Sequence, residues 1–264
     1  MTVRWLLLPL CLLWQSVLAQ TDALAGMASA YWLALDGQAL WAGQAAQRLP
    51  PASLTKMMTA LLVLEQADWQ QPVTVSAAAA RETGSRIGLR SGDVAQAHDL
   101  LMATLMASAN DACHALAAHL AGNQARFVEQ MNARARALGL KDTHFANACG
   151  HDAPAHYASA QDLGRLAQAL LRHPQVLPIT SQLQAQMLVQ PGARRLLLKN
   201  TNALIGRYPG ALGLKTGYTR RAGRCLVALA QRNGNSVLLV LLNGRDRWWD
   251  AVDALDLAFA RAGG

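Results

Sequence analysis

Apolar and polar positions divide this chain into four stretches of different period. A short apolar run over residues 5–14 follows the single cation Arg4 and gives way to Val17-Leu18-Ala19 before Gln20. One cation, a brief apolar core and small residues three and one before the break predict a signal peptide spanning residues 1–19. Residues 28–35 and 40–46 then flank Asp36-Gly37, a tight-turn signal, and predict two antiparallel strands. Pro50-Pro51 halts the chain. Over residues 53–67, Leu54, Met57, Met58, Leu61, Leu62 and Leu64 cover nearly the whole circumference of a helix, so that helix should be buried. Helical periodicity persists from 99 to 171. Beyond Leu196 the pattern shortens, with runs at 212–214, 225–230 and 237–242 separated by Tyr218-Thr219-Arg220-Arg221 and Asn233-Gly234-Asn235, and three more antiparallel strands are predicted. A last helix over 248–261 carries Trp248, Val252, Leu255 and Phe259 on one side and Asp250, Asp253 and Asp256 on another. Acid on its polar side argues against a membrane anchor, so it should cover the sheet.

Two strands, a helical block and three strands predict an α/β (α+β) fold. The three later strands should join the first two in one sheet, with a largely helical block between them. No linker or repeat divides residues 20–264, which are expected to be a single domain. The 264 residues are 52% apolar and 15% charged, enough to bury a sizeable core and incompatible with disorder. Past the leader, charges interrupt every apolar run well short of the roughly 18 residues that a membrane span needs.

The formal net charge of +8 draws an exported protein toward anionic surfaces or serves its solubility. Nothing resembles a nucleic-acid-reading motif. Cys11 falls in the leader and follows Leu10 rather than a small residue, which makes it a poor lipid-attachment site. Three cysteines remain, Cys113, Cys149 and Cys225. They allow one bridge at most, and buried apolar filler is the expected role for most of them. His144, His151, Asp152 and His156 cluster in sequence but lack the two-histidine helical spacing of zinc hydrolases, so neither a metal nor a cofactor is expected.

Three short motifs carry chemistry. In Ser53-Leu54-Thr55-Lys56 the hydroxyl and amine share one face of a helix. A serine becomes a nucleophile when a neighbour takes its proton, and a buried lysine with a depressed pKa can do so. The chain has only four lysines among its 24 basic residues, and arginine cannot serve as a base. In Ser108-Ala109-Asn110 a second hydroxyl can relay a proton from Lys56 to a leaving amine, while the amide holds a substrate peptide group. The plainer reading is that Ser and Asn cap the helix starting near Asp111. In Lys215-Thr216-Gly217 the glycine lets a substrate backbone lie against a strand, the threonine donates a hydroxyl to a carboxylate, and the lysine supplies positive charge.

The order Ser-x-x-Lys, Ser-x-Asn, Lys-Thr-Gly resembles penicillin-binding proteins and serine β-lactamases. More closely, the stretches 51–60, 108–112, Met131-Asn132 with Leu138-Gly139-Leu140, and 213–219 with Ala222-Gly223 resemble the low-molecular-mass D-alanyl-D-alanine carboxypeptidases. The resemblance covers the mature chain to about Phe259. It implies a β-lactamase/transpeptidase-like fold, a five-stranded antiparallel sheet flanked by helices with a helical subdomain over about residues 70–195, and a single serine DD-peptidase domain in which Ser53 is acylated and Lys56 is its base. It further implies a proton relay through Ser108, substrate contacts from Asn110, Lys215, Thr216 and Gly217, and an oxyanion hole from the N–H groups of Ser53 and Tyr218. A family arginine that holds the terminal carboxylate corresponds to Arg247, with Arg245 as the neighbouring candidate. The implied partners are peptidoglycan stem peptides, with β-lactam antibiotics as inhibitors, in the periplasm or cell-wall space. No C-terminal β domain or transmembrane anchor is expected. Asn200-Thr201-Asn202 and residues 222–227 also resemble the family's endopeptidase branch, which keeps cleavage of cross-links open as an alternative. Between Asn110 and Lys215 the only glutamate is Glu129, inside a helical pattern, so the loop glutamate of class A β-lactamases has no counterpart. A non-catalytic peptidoglycan-binding module would predict eroded motifs, and every motif side chain is present.

Overall fold

A computed structural model describes residues 24–263. The predicted signal peptide lies outside the described residues. The first hairpin joins β1 (Ala28–Leu35) to β2 (Gln38–Gly43) around Asp36-Gly37, both residues taking positive φ as such a turn requires. A 3-10 turn over Ala52–Thr55 leads into α1 (Lys56–Gln66), so the predicted buried helix is present with Ser53 in its tighter first turn. The chain continues through β3 (Pro72–Thr74), α2 (Ala77–Ala80), β4 (Val94–Gln96), α3 (Ala97–Met106), α4 (Asn110–Ala121) and α5 (Gln124–Ala137). Then come α6 (Ala160–Leu170), α7 (Val176–Thr180), β5 (Gln184–Val189), β6 (Arg194–Lys199), β7 (Ala211–Thr219), β8 (Gly223–Arg232), β9 (Asn235–Gly244) and α8 (Arg247–Ala262).

The main sheet is antiparallel throughout, in the order β2-β1-β9-β8-β7. Successive residues of its strands point to opposite faces. Ala30, Trp32, Val227, Leu229, Val240 and Leu242 face α1, α6 and the helical block, whereas Tyr31, Leu33, Leu226, Ala228, Leu239 and Leu241 face α8. Strand β7 pairs only with β8 and leaves its other edge toward the helical side.

Two expectations change. The helical pattern over 99–171 is broken by an irregular stretch between α5 and α6, where Gly139, Gly150 and Pro154 interrupt helix formation. Two small sheets, β3-β4 and β5-β6, were also not foreseen; their strands are too short or too mixed in polarity to show a clear period. Helix α8 covers the sheet as predicted, but through a slightly rotated face. Ala251, Ala254, Leu255 and Ala258 are buried, and Trp248, Val252 and Phe259 flank that stripe half-buried. Small residues let the helix axis approach the sheet closely. Among the described residues no helix is long and apolar enough to cross a membrane.

Candidate active site

The start of α1 is held from two sides by glycines. A Cβ on Gly150 would sit 2.1 Å from the Ala52 carbonyl oxygen and 2.8 Å from the Ser53 nitrogen. A Cβ on Gly217 would sit 3.1 Å from the Ala52 Cβ and 3.2 Å from the Ser53 nitrogen. Gly217 therefore makes room for the serine turn itself. Ala52 takes φ +48, unusual for a residue with a side chain and costing about 1–3 kcal/mol. Thr55 Oγ1 holds that turn by donating to the Ala52 carbonyl at 2.8 Å. Behind it, the Ala146 N–H donates to His156 Nδ1 (2.9 Å), which leaves the proton on Nε2 to be donated to Thr55 Oγ1 (2.7 Å). Burial lowers the His156 pKa to about 4, so this imidazole is neutral at pH 7.

Ser53 is partly exposed, whereas Lys56 is wholly buried. The Lys56 Nζ lies 2.9 Å from Ser53 Oγ, 2.7 Å from Asn110 Oδ1 and 2.6 Å from the Cys149 carbonyl oxygen. Burial pulls its pKa from 10.5 to about 7, against the opposing pull of Glu82 and Asp111. A neutral amine has two hydrogens and one lone pair. The two carbonyl oxygens can only accept, so they take the hydrogens and leave the lone pair facing the Ser53 hydroxyl. That is the arrangement a general base requires.

Asn110 opens α4, and its Nδ2 donates to the Thr83 carbonyl at 2.6 Å, which leaves a second N–H uncommitted. The carboxylate of the next residue, Asp111, accepts from the N–H groups of Ile87, Gly88 and Leu89 and so fixes the loop between α2 and β4 over the site. Ser108, at φ +57 and buried, precedes this helix. Its hydroxyl makes no hydrogen bond among the described residues.

Across the cleft β7 carries Lys215, Thr216 and Gly217. Lys215 is buried, and its Nζ donates to the Thr216 carbonyl at 2.9 Å. Burial, and then the neighbouring Lys56 and Arg247, hold its pKa well below the usual lysine value. Its charged form gains most when an anion arrives. The Thr216 and Thr201 hydroxyls lie 2.8 Å apart, and Thr201 Oγ1 donates to the Met106 carbonyl at 3.1 Å. Asn202 Nδ2 donates to the Gly213 carbonyl (2.9 Å), so residues 200–202 fasten β7 to α3. Arg247 Nη1 donates to the Gly217 carbonyl at 2.8 Å, and the guanidinium lies 4.6 Å over the Trp248 ring. Arg245 is exposed. Tyr218 follows Gly217, its side chain exposed.

The structure corrects the expectation for the cysteines. Cys113 and Cys149 form a disulfide, and Cys225 is the buried free thiol, its pKa raised to about 11 by burial. A separation of 36 residues conceals that the first turn of α4 faces the irregular stretch before α6. The histidine cluster resolves into separate pairs. His151 meets Glu82 (2.8 Å), His144 the Ala155 carbonyl (2.6 Å), Asp152 accepts from Thr219 (2.7 Å), and His156 serves Thr55. Sequence reasoning missed Gly150, the Cys149 carbonyl, Thr201 and the role of His156. The two glycine-rich or polar loops carried no chemical motif, and a main-chain acceptor leaves no mark in residue type.

A partly exposed serine paired with a buried lysine at the foot of an antiparallel sheet edge, with a Lys-Thr-Gly strand opposite, defines a penicillin-binding-protein type of active site. The comparisons agree with that class. The sequence matches the family described as D-alanyl-D-alanine carboxypeptidase over residues 19–246, and the chain belongs to that family. It is 35% identical over 233 residues to the D-alanyl-D-alanine carboxypeptidase DacF of Bacillus subtilis, covering 85% of this chain and 60% of that one. A D-alanyl-D-alanine endopeptidase of Pseudomonas aeruginosa is 33% identical over 214 residues, covering 79% of this chain and 68% of that one. The crystal structure of the Streptomyces K15 DD-transpeptidase superposes with a TM-score of 0.84 at 28% identity, covering 89% of this chain and 97% of that one.

Proposed function

We propose that this protein is a serine DD-peptidase that removes the terminal D-alanine from peptidoglycan stem peptides through an acyl-serine intermediate. The observation that carries this reading is the Lys56 amine, buried, near neutral pKa and aimed at Ser53 by two carbonyl acceptors. In the proposed reaction Lys56 takes the Ser53 proton as Oγ attacks the carbonyl of the penultimate D-alanine. The N–H groups of Ser53 and Tyr218 stabilise the oxyanion. Ser108 passes the proton to the leaving amine, and water then hydrolyses the acyl-serine. Lys215 and Arg247 attract the terminal carboxylate, the Thr216 hydroxyl turns from Thr201 to donate to it, Asn110 offers its remaining N–H to the substrate amide, and the substrate lies along the open edge of β7. Penicillins enter the same site and acylate Ser53. The work is placed outside the cytoplasmic membrane, in the periplasm or wall space, in keeping with the predicted leader and the nature of the substrate. Carboxypeptidase action is preferred to cross-link cleavage because carboxypeptidases predominate among the relatives, whereas the Asn200-Thr201-Asn202 stretch that resembles the endopeptidase branch acts here as a fastening for β7.

Mass spectrometry of the purified protein with benzylpenicillin should show one adduct, located on Ser53 and lost in Ser53→Ala. Pentapeptide monomers should release free D-alanine. Cross-linked dimers converted to monomers while pentapeptide stays intact would mark the endopeptidase instead, and an absent adduct with both substrates untouched would leave only a binding module.

A further inference from the structure

Given Lys56 as the base, the position of its two acceptors becomes a catalytic matter. Asn110 Oδ1 belongs to the first residue of α4, and Cys113 follows one helical turn later. The second acceptor is the carbonyl of Cys149, in a turn whose own hydrogen bonds largely close on Asn147: the N–H groups of Cys149, Gly150 and His151 all donate to Asn147 Oδ1. Such a turn is rigid within itself but needs ties to the rest of the molecule. Besides the Lys56 contact itself and the packing of Gly150 against the serine turn, two are single polar contacts, Thr59 Oγ1 donating to the Ala148 carbonyl and His151 meeting Glu82. The third is covalent. The Cys113–Cys149 disulfide joins the residue that bears one acceptor to the helix that bears the other.

We propose that the Cys113–Cys149 disulfide is a positioning group for catalysis, holding the Cys149 carbonyl and Asn110 at the fixed separation that directs the Lys56 lone pair at Ser53. Its sulfurs touch neither substrate nor the reacting atoms, and it acts through Lys56. With the link gone, the 147–151 turn is free to withdraw from α4. One amine hydrogen then loses its acceptor, and water gains access to a nitrogen that is now completely buried. The charged groups acting on Lys56 are Glu82 from the loop after α2, Asp111 from α4 and Lys215 from β7; the Asp111 and Lys215 side chains make no hydrogen bond to the 147–151 turn, whereas Glu82 meets its His151, and loss of that partner would raise the Lys56 midpoint in the same direction.

The chain has four lysines, so protein labelled with nitrogen-15 at lysine gives few side-chain signals, and Lys56 is assigned by its loss in Lys56→Arg. Its titration is compared in the oxidised protein, in protein reduced by a phosphine, and in Cys113→Ala/Cys149→Ala, each checked for fold by circular dichroism. The buried Cys225 stays a thiol in all three. The expected result is an upward shift of the Lys56 midpoint by about one pH unit as water reaches the amine. With it, the acylation rate constant for penicillin should fall by about tenfold, while the dissociation constant of the preceding complex stays unchanged. If the double variant does not fold, the reduced native protein gives the same readouts. An unchanged midpoint and rate in folded, unbridged protein would overturn the proposal, even where the melting temperature drops, because a merely structural bridge lowers only the latter. Oxidised wild type that forms no acyl-serine would instead overturn the peptidase reading, and the lysine titration would still report whether the bridge positions the amine.

Discussion

Lys56 shows how a residue type acquires a function from its surroundings. An exposed lysine is almost wholly protonated at neutral pH, whereas this one, at about 7, is close to half deprotonated. Acylation of Ser53 should therefore rise as pH increases through about 7, following the free amine. Lys56→Arg should lower the rate roughly a thousandfold, since a guanidinium keeps its proton. Stopped-flow acylation with a chromogenic cephalosporin across pH 5–9 tests both statements. His156 behaves in the opposite sense to a histidine that gains a partner on folding. Its folded pKa of about 4 lies below the unfolded value of 6.5, so the unfolded chain binds the extra proton first. The stability contributed by the neutral imidazole is complete above pH 6.5 and is lost as pH falls toward 4, to the extent of roughly 3 kcal/mol. Denaturant titrations of wild type and His156→Asn should show this loss flattened in the variant over that window. Equal slopes would remove His156 from the account.

At the level of elements, the sheet could be read from alternation because each strand buries a different set on each face, and the Ser53–Lys56 pair could be read because i and i+3 fall together on any helix. Neither inference needs distant information. What the chain did not disclose is how the first turn of α1 is held, since its supports are a missing Cβ at 150, a missing Cβ at 217, and carbonyl oxygens that every residue possesses. The small sheets stayed hidden for related reasons: β3 and β4, of three residues each, are shorter than the period needed to recognise them, and β5 and β6, of six, are too mixed in polarity to show it. The tightness of that turn gives a test. Gly150→Ala places a methyl group far inside van der Waals contact with the Ala52 carbonyl, at a φ of +92 that an alanine resists. It should destabilise the protein by about 3 kcal/mol or more and suppress acylation of whatever fraction folds. Thermal unfolding together with the penicillin-titrated active fraction measures the two effects, and a variant with native values of both would contradict the packing described.

For the molecule as a whole, the site is the meeting line of the sheet and the helical block. The sheet brings β7 and, through Arg247 at the start of α8, a cation from its opposite side; the helical block brings α1, α4 and the bridged turn. Lys56 reaches partners 54 and 93 positions away, and Gly217, further still along the chain, presses on the serine turn. A polypeptide emerging from the ribosome has therefore made its nucleophile and its base long before it has made the wall against which they work. Competence to take up a fluorescent β-lactam should arrive at the very end of maturation, after the far-ultraviolet signal of helices and strands has recovered. Pulse-labelling during refolding would show that delay, and drug uptake coincident with the first helical signal would refute it. The antibiotic is in this sense a stain for finished molecules.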